Sequence, residues 1–272
     1  MAGAGNRLRG LRIAVLGSGR AAQAFSAALA RRGARISSWS RRSRRTSADV
    51  AAGADLVLFC VRDDAIEEVA ERLASGWTRA SGRAPAALHL SGYHGDRPLR
   101  ALARKGWSTG SLHPLVPLLG RRSAADVAGA WFATSARGRS LALARRVIAG
   151  LGGRELRLRP GERRKHAWHL ACALVANGAV ALFDLGLEQA GDRAAPALAS
   201  MLGKIARRLE RGPRAALTGP VARGEREVVA GHLDLLSGSR DDALLYRLLA
   251  RRQLALSSLD ARSRRAIARL LR

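Results

Sequence analysis

The sequence predicts an α/β fold, a doubly wound parallel sheet followed by an all-α C-terminal domain, on three observations. A five-residue apolar run near the N-terminus enters a glycine-rich turn and then a helical pattern; strand and helix patterns alternate to about residue 158; past Pro160 only helical patterns remain. Alternation of this kind builds a sheet covered on both faces, and the helical remainder forms a unit of its own. The boundary is expected near Pro160, giving domains 1–159 and 160–272.

The first strand is expected at Leu11–Leu16, followed by the turn Gly17-Ser18-Gly19-Arg20-Ala21-Ala22. Gly17, Gly19 and Ala22 occupy the G-x-G-x-x-G/A positions: tight turn, close backbone approach to a pyrophosphate, and close helix–strand packing. The N–H groups of Ser18, Arg20 and Ala21 then lie at a helix N-terminus, where phosphate is favoured. The second strand, Ala34–Trp39, leads into Ser40-Arg41-Arg42-Ser43-Arg44-Arg45. An NAD site usually places an acid there to accept the ribose hydroxyls. None is present. Guanidinium forks bind phosphate bidentately, so NADP(H) is favoured over NAD(H), with Ser40, Arg41 and Arg42 on the 2′-phosphate. A solvated arginine-rich loop is the other reading of the same residues.

Further strands are expected at Asp55–Val61, Ala86–Leu90, Gly106–Ser111, Trp131–Thr134 and Glu155–Leu158, with helices at about 63–74 and 140–151. C-terminal helices are expected at about 162–190, 193–211, 220–236, 241–256 and 260–271.

Composition excludes several classes of function. Of 272 residues, 48 are Lys or Arg against 21 acids, a formal charge of +27, which ordinarily suggests nucleic acid. The arginines are spread along the whole chain, and aromatic residues are only 4%, too few for a base-stacking platform, so no specific nucleic-acid partner is expected. Two cysteines give neither a metal-ligand spacing nor a disulfide framework, so no metal site and a reducing compartment are expected. No apolar N-terminal signal region and no uninterrupted apolar stretch of membrane length are read from the sequence, so a cytoplasmic protein without a membrane partner is expected.

Ligands of open α/β sheets bind beyond the carboxyl ends of the strands. Val61 ends the third strand and is expected beside the cofactor; Asp63 and Asp64, after it, suit helix capping. Ser91 and Gly92 follow the fourth strand, where a small residue admits cofactor or substrate and a hydroxyl can donate; a plain turn is the other reading. His113, before Pro114, is either a proton-transfer group facing the cleft or a structural histidine. In the first C-terminal helix, Lys165 and His169 share a face, and Asn177 lies roughly 80° from His169 on an ideal helix. The chain contains only three lysines, so lysine at 165 stands out, and lysine loses its proton on desolvation where arginine does not. Lys165 is thus a candidate acid for carbonyl reduction, or else a lysine at an exposed helix start. His166 is expected to face solvent. Thr218 and Arg223, in LTGPVARGE, form a candidate carboxylate pocket or a simple helix entrance, and His232 suits core packing.

Assembled, these motifs resemble a known family: a Rossmann-like domain joined to a helical C-terminal domain of unknown function, the domain-of-unknown-function 2520 family. That family is a distant relative of pyrroline-5-carboxylate reductase, ketopantoate reductase and 6-phosphogluconate dehydrogenase. The resemblance rests on the Gly17 turn, HLSG at 89–92, SLHP at 111–114, Lys165 with Trp168, His169 and Asn177, and TGPVARGE from Thr218. Arg62 stands where the family usually has proline, and Trp168 where it usually has tyrosine. The resemblance implies an NAD(P)-dependent oxidoreductase and leaves the substrate open; the reaction expected is reduction of a small 2-oxo or imino acid, ketopantoate-like substrates included, in a cleft between the domains. It also implies a homodimer paired through the helical domain. A noncatalytic NADP(H) sensor on the same fold is the alternative.

Overall fold

The computed structural model describes residues 7–78 and 83–272. The chain divides into two compact units, Met1–Gly178 and Ala179–Arg272. Regular sheet structure ends at Arg157, close to the boundary expected near Pro160, while the first unit continues through the opening turns of the helix beyond it.

The first unit is built on a seven-stranded sheet of order β2-β1-β3-β4-β5-β6-β7. Its strands are β1 (Arg12–Leu16), β2 (Arg35–Trp39), β3 (Leu56–Phe59), β4 (Ala86–His89), β5 (Ser108–Pro114), β6 (Trp131–Ala136) and β7 (Arg154–Arg157). Its helices are α1 (Arg20–Arg31), α2 (Ser47–Ala51), α3 (Ile66–Gly76), α4 (Arg100–Arg104), α5 (Ala124–Val127), α6 (Gly138–Gly150) and α7 (Glu162–Cys172). The central strands are apolar at nearly every position because both faces are covered. Ile13, Val15, Leu56 and Leu58 share a core with Phe25 and Leu29 of α1 and Val147 and Ile148 of α6. Their neighbours in sequence, Ala14, Leu16, Val57 and Phe59, face the other way, onto Val50 of α2 and Val69 and Leu73 of α3.

The sheet is parallel except between β5 and β6. The reason lies in the connection. Between Pro114 and Trp131 the only α-helix is the four-residue α5, too short to carry the chain back along the sheet, so β6 re-enters from the end at which β5 left. The 13-residue α6 then provides the crossover that makes β7 parallel to β6.

The second unit is helical: α8 (Gly178–Ala190, its first residue closing the first unit), α9 (Ala195–Leu209), α10 (Pro213–Ala216), α11 (Pro220–Arg223), α12 (Arg226–Leu235), α13 (Arg240–Leu256) and α14 (Ala261–Leu270). The helix expected at 220–236 is broken by Gly224 in the left-handed region, φ +77°. A small core of Val221, Val229, Ala250, Leu254, Ile267 and Leu271 joins α11 to α14. By contrast α8 and α9 have no buried residue.

Three of the arginines serve the helical fold. Arg214 donates to the carbonyl of Leu256, Arg264 to those of Leu254 and Ser257, and Arg251 to that of Leu271, satisfying carbonyls left open at helix C-termini. The continuous helix Glu162–Ala190 is, at 29 residues, long and apolar enough to cross a membrane by length and composition, although His166, His169 and Asn177 interrupt its apolar run. Its first turns, however, are bound to polar groups of the sheet unit through Glu162 and Lys165.

Candidate active site

The three glycine-motif positions have three separable reasons. Gly17 has φ +129°, and a Cβ there would meet the Cys60 carbonyl oxygen at 2.3 Å, so the fold itself demands glycine. Ala22 is buried in the core between α1 and the sheet. Gly19 is different. Its φ is −75°, and a Cβ there would meet nothing within 4 Å. The protein does not need glycine at 19, whereas an approaching ligand backbone or phosphate would. Gly19 also caps α1, and no side chain hydrogen-bonds this helix end, so its first N–H groups face outward. Ser18, Arg20 and Ala21 stand around that opening, and Val61 directly follows Cys60, whose carbonyl Gly17 crosses.

At the end of β2, Ser40 to Ser43 form a tight turn: the Ser43 N–H donates to the Ser40 carbonyl at 2.9 Å, and the Ser40 N–H to the Ser43 hydroxyl at 2.9 Å. Arg41 and Arg42 occupy its two central positions and are exposed. Arg41, Ser43, Arg44 and Arg45 line a cavity of about 670 Å³; Ser40 and Arg42 are not among its lining residues.

Lys165 is the most buried cation of the sheet unit, fully enclosed although it sits in the first turns of α7. This overturns the reading of an exposed helix start. Its ammonium donates to the Ser91 carbonyl at 2.9 Å. Desolvation pulls its pKa down to about 8, with Asp63 and Glu162 opposing that fall. The Ser91 hydroxyl, expected to serve a ligand, instead donates to Asp63 Oδ2 at 2.7 Å and accepts from the N–H groups of Tyr93 and His94. Its single proton is committed to Asp63. Asp63 and Asp64 make no side-chain cap for the turn they open; Asp64 binds Arg62 in a fork at 3.1 and 2.6 Å.

Glu162 is not singled out by any motif in the sequence. Its carboxylate accepts the N–H groups of Gly95 and Arg97 at 2.9 and 3.2 Å, clamping the loop after β4 against α7. A Cβ on Gly95 would meet Glu162 Oε1 at 2.7 Å, so the clamp needs that glycine. His166, expected in solvent, stacks on Tyr93 with ring centroids 4.0 Å apart. The available signal is Glu162 itself, the only acid between Glu155 and Asp184.

Gly92 is pinned between two histidines. A Cβ there would meet His113 Nε2 at 2.8 Å and His169 Cδ2 at 3.0 Å, so glycine lets both rings approach the loop. Burial, helped by Lys165 and His169, lowers His113 to about 4, so its ring is neutral at physiological pH. Its Nδ1 is buried without a protein partner. The exposed His169 lies edge-on to Tyr93, centroids 5.8 Å apart. Asn177 is exposed and ends a π-helical segment, Ala173–Asn177. Asn177 is the last residue of that segment, so the roughly 80° that an ideal helix puts between it and the His169 face does not carry over to it.

In the second unit, Thr218 and Arg223 line a cavity of about 330 Å³ together with Arg214, Ser257 and Ser258. The Arg223 fork is already occupied by Glu225, at 2.6 and 2.9 Å, so a carboxylate there must compete with it. His232 is bound to the Tyr246 hydroxyl at 2.8 Å, tying α12 to α13. Among the described residues no group of three or more metal-ligating side chains occurs.

Residues 130–253 match the family model described as a domain of unknown function, DUF2520, in agreement with the resemblance drawn from the motifs. No curated protein matches the sequence. Among solved structures, the chain is similar to a Bacteroides fragilis protein described as a candidate NADP oxidoreductase (TM-score 0.67, 20% identity, covering 89% of this chain and 97% of that one). It is also similar to protein TM1727 from Thermotoga maritima (0.64, 18%, 90% and 98%). A third is pyrroline carboxylate reductase from Plasmodium falciparum with NADP bound (0.60, 12%, 92% and 100%). At these identities the likeness establishes the fold: a Rossmann-like sheet unit followed by a helical one.

Proposed function

We propose that this protein is an NADPH-dependent oxidoreductase that reduces a small 2-oxo or imino acid, ketopantoate-like substrates included. The observation that carries the reading is Lys165, an enclosed ammonium held on a carbonyl at the end of β4, in the same unit as the open glycine turn. The Gly19 opening, the outward N–H groups of α1 and the exposed arginines after β2 fit a dinucleotide carrying an extra phosphate. A bound NADPH would supply hydride. The chain's own residues supply the rest. Lys165 keeps donors beyond the one given to Ser91 and gives its proton to the oxygen or nitrogen that gains charge. His113, neutral, orients the substrate through a hydrogen bond, with His169 and Asn177 as further polar groups of the same helix region. Thr218 and Arg223 are an anion site of the helical unit by itself, where an incoming carboxylate competes with Glu225 for the Arg223 fork. Val61 stands beside the Gly17 turn, and Gly92 lets the His113 and His169 rings approach the loop after β4.

The exposed apolar residues Val180, Leu182, Met201 and Leu202 support pairing of two copies through the helical unit. Cytoplasmic residence belongs to the same proposal, since Cys60 and Cys172 are free thiols. Oxidation of NADPH against a panel of 2-oxo and imino acids tests the reading. An active substrate should lose turnover on Lys165→Ala by about 10²–10⁴-fold. Tight NADPH binding without turnover on any member would favour a sensor.

A further inference from the structure

Lys165 has a counter-charge that the sequence does not advertise. The Ser91 carbonyl takes the Lys165 ammonium at 2.9 Å, and the Ser91 hydroxyl gives its proton to Asp63 at 2.7 Å. One residue therefore joins a cation on α7 to an anion at the end of β3. We propose that Asp63 is a positioning residue for Lys165, fixing the Ser91 carbonyl on which the ammonium rests and placing a negative charge beside it. The inference rests on the reading of Lys165 as the acid.

The other acidic groups that act on Lys165 are Glu162, Cys172 and Asp96. On its own helix, Glu162 is bound to two backbone N–H groups, and burial raises the Cys172 thiol, keeping it protonated. On the loop after β4, desolvation raises the Asp96 carboxyl. On β4 and β5, burial holds His89 at about 3 and His113 at about 4, both neutral. Asp63 is the anion linked to Lys165 through Ser91, and among the charges its influence on the ammonium ranks first. Its neighbour Asp64 is held by Arg62 and provides a built-in control.

Three lysines make the test direct. Full-length protein labelled with ¹³C,¹⁵N-lysine gives three side-chain signals, with Lys105 and Lys204 exposed and serving as internal references. Lys165→Arg assigns the third. The midpoint of Lys165 should fall by about half a unit to one unit in Asp63→Asn, which keeps an acceptor for Ser91 while removing the charge. It should fall in Ser91→Ala and stay put in Asp64→Asn. An unmoved midpoint in both Asp63→Asn and Ser91→Ala, or an equal fall in Asp64→Asn, overturns the proposal. If Asp63→Asn does not fold, Ser91→Ala decides alone. Should Lys165 of the unmodified protein titrate together with the two exposed lysines, the acid reading falls instead, so the two failures are told apart.

Discussion

The two units solve the problem of burying apolar surface in different ways. The first encloses both faces of its sheet, with Ile13 and Val15 on one side and Leu16 and Phe59 on the other fully buried. The second has a six-residue core among α11–α14, while Val180 on α8 and Met201 on α9 are 71% and 53% exposed. A helix pair with no buried residue gains little from folding alone, because most helical stability comes from packing an apolar face. The first unit encloses its own core, whereas α8 and α9 leave their apolar residues exposed. Lys165, Ser91, Asp63 and His113 all lie in the first unit.

The largest effect that would break this comparison is on assembly. Val180→Glu combined with Met201→Glu should raise the dissociation constant of a dimer by roughly 100-fold or more, since each change puts a charge into an apolar contact. Sedimentation velocity measures it, and an unmodified chain that is monomeric at micromolar concentration would contradict the pairing.

A smaller effect concerns Lys165 and pH. Its pKa is about 8 in the fold against the ordinary 10.5, so between those values the unfolded chain binds more protons than the folded one. This group's contribution to stability therefore rises as pH is raised from about 8 to 10.5. Turnover should do the opposite, falling above about pH 8 as the donor loses its proton. Denaturant midpoints and kcat/KM over the same window separate the two trends.

The smallest effect is cofactor choice. Arg41→Glu with Arg42→Glu should weaken NADPH by about tenfold or more while leaving NADH within a few-fold, because only the former carries the phosphate that guanidinium groups bind. Equal losses would remove the phosphate from this turn.

The features legible in the sequence are the local ones. The strands declare themselves because both sheet faces are buried, and the Gly17 turn because a positive φ and a crossing backbone leave no other residue possible there. The direction of β6 is less visible, since it depends on the length of α5 rather than on any pattern within β6. Asp63 and Glu162 escape a sequence reading for a shared reason: each acts on a loop 28 or 67 residues away, through Ser91 or Gly95. His166 looks solvent-facing in the sequence because the ring that covers it, Tyr93, is equally distant along the chain. The π segment that ends at Asn177 is likewise invisible to helical periodicity.

Titration of the full chain with NADPH, monitored by quenching of tryptophan fluorescence and repeated with Gly19→Ala, tests the central claim most directly. A saturable site is expected, weakened about tenfold or more by Gly19→Ala while the thermal midpoint does not fall, because a Cβ at 19 meets no protein atom and obstructs only a ligand. No saturable binding of NADPH or NADH to the unmodified chain, or equal binding by the variant, would contradict the account.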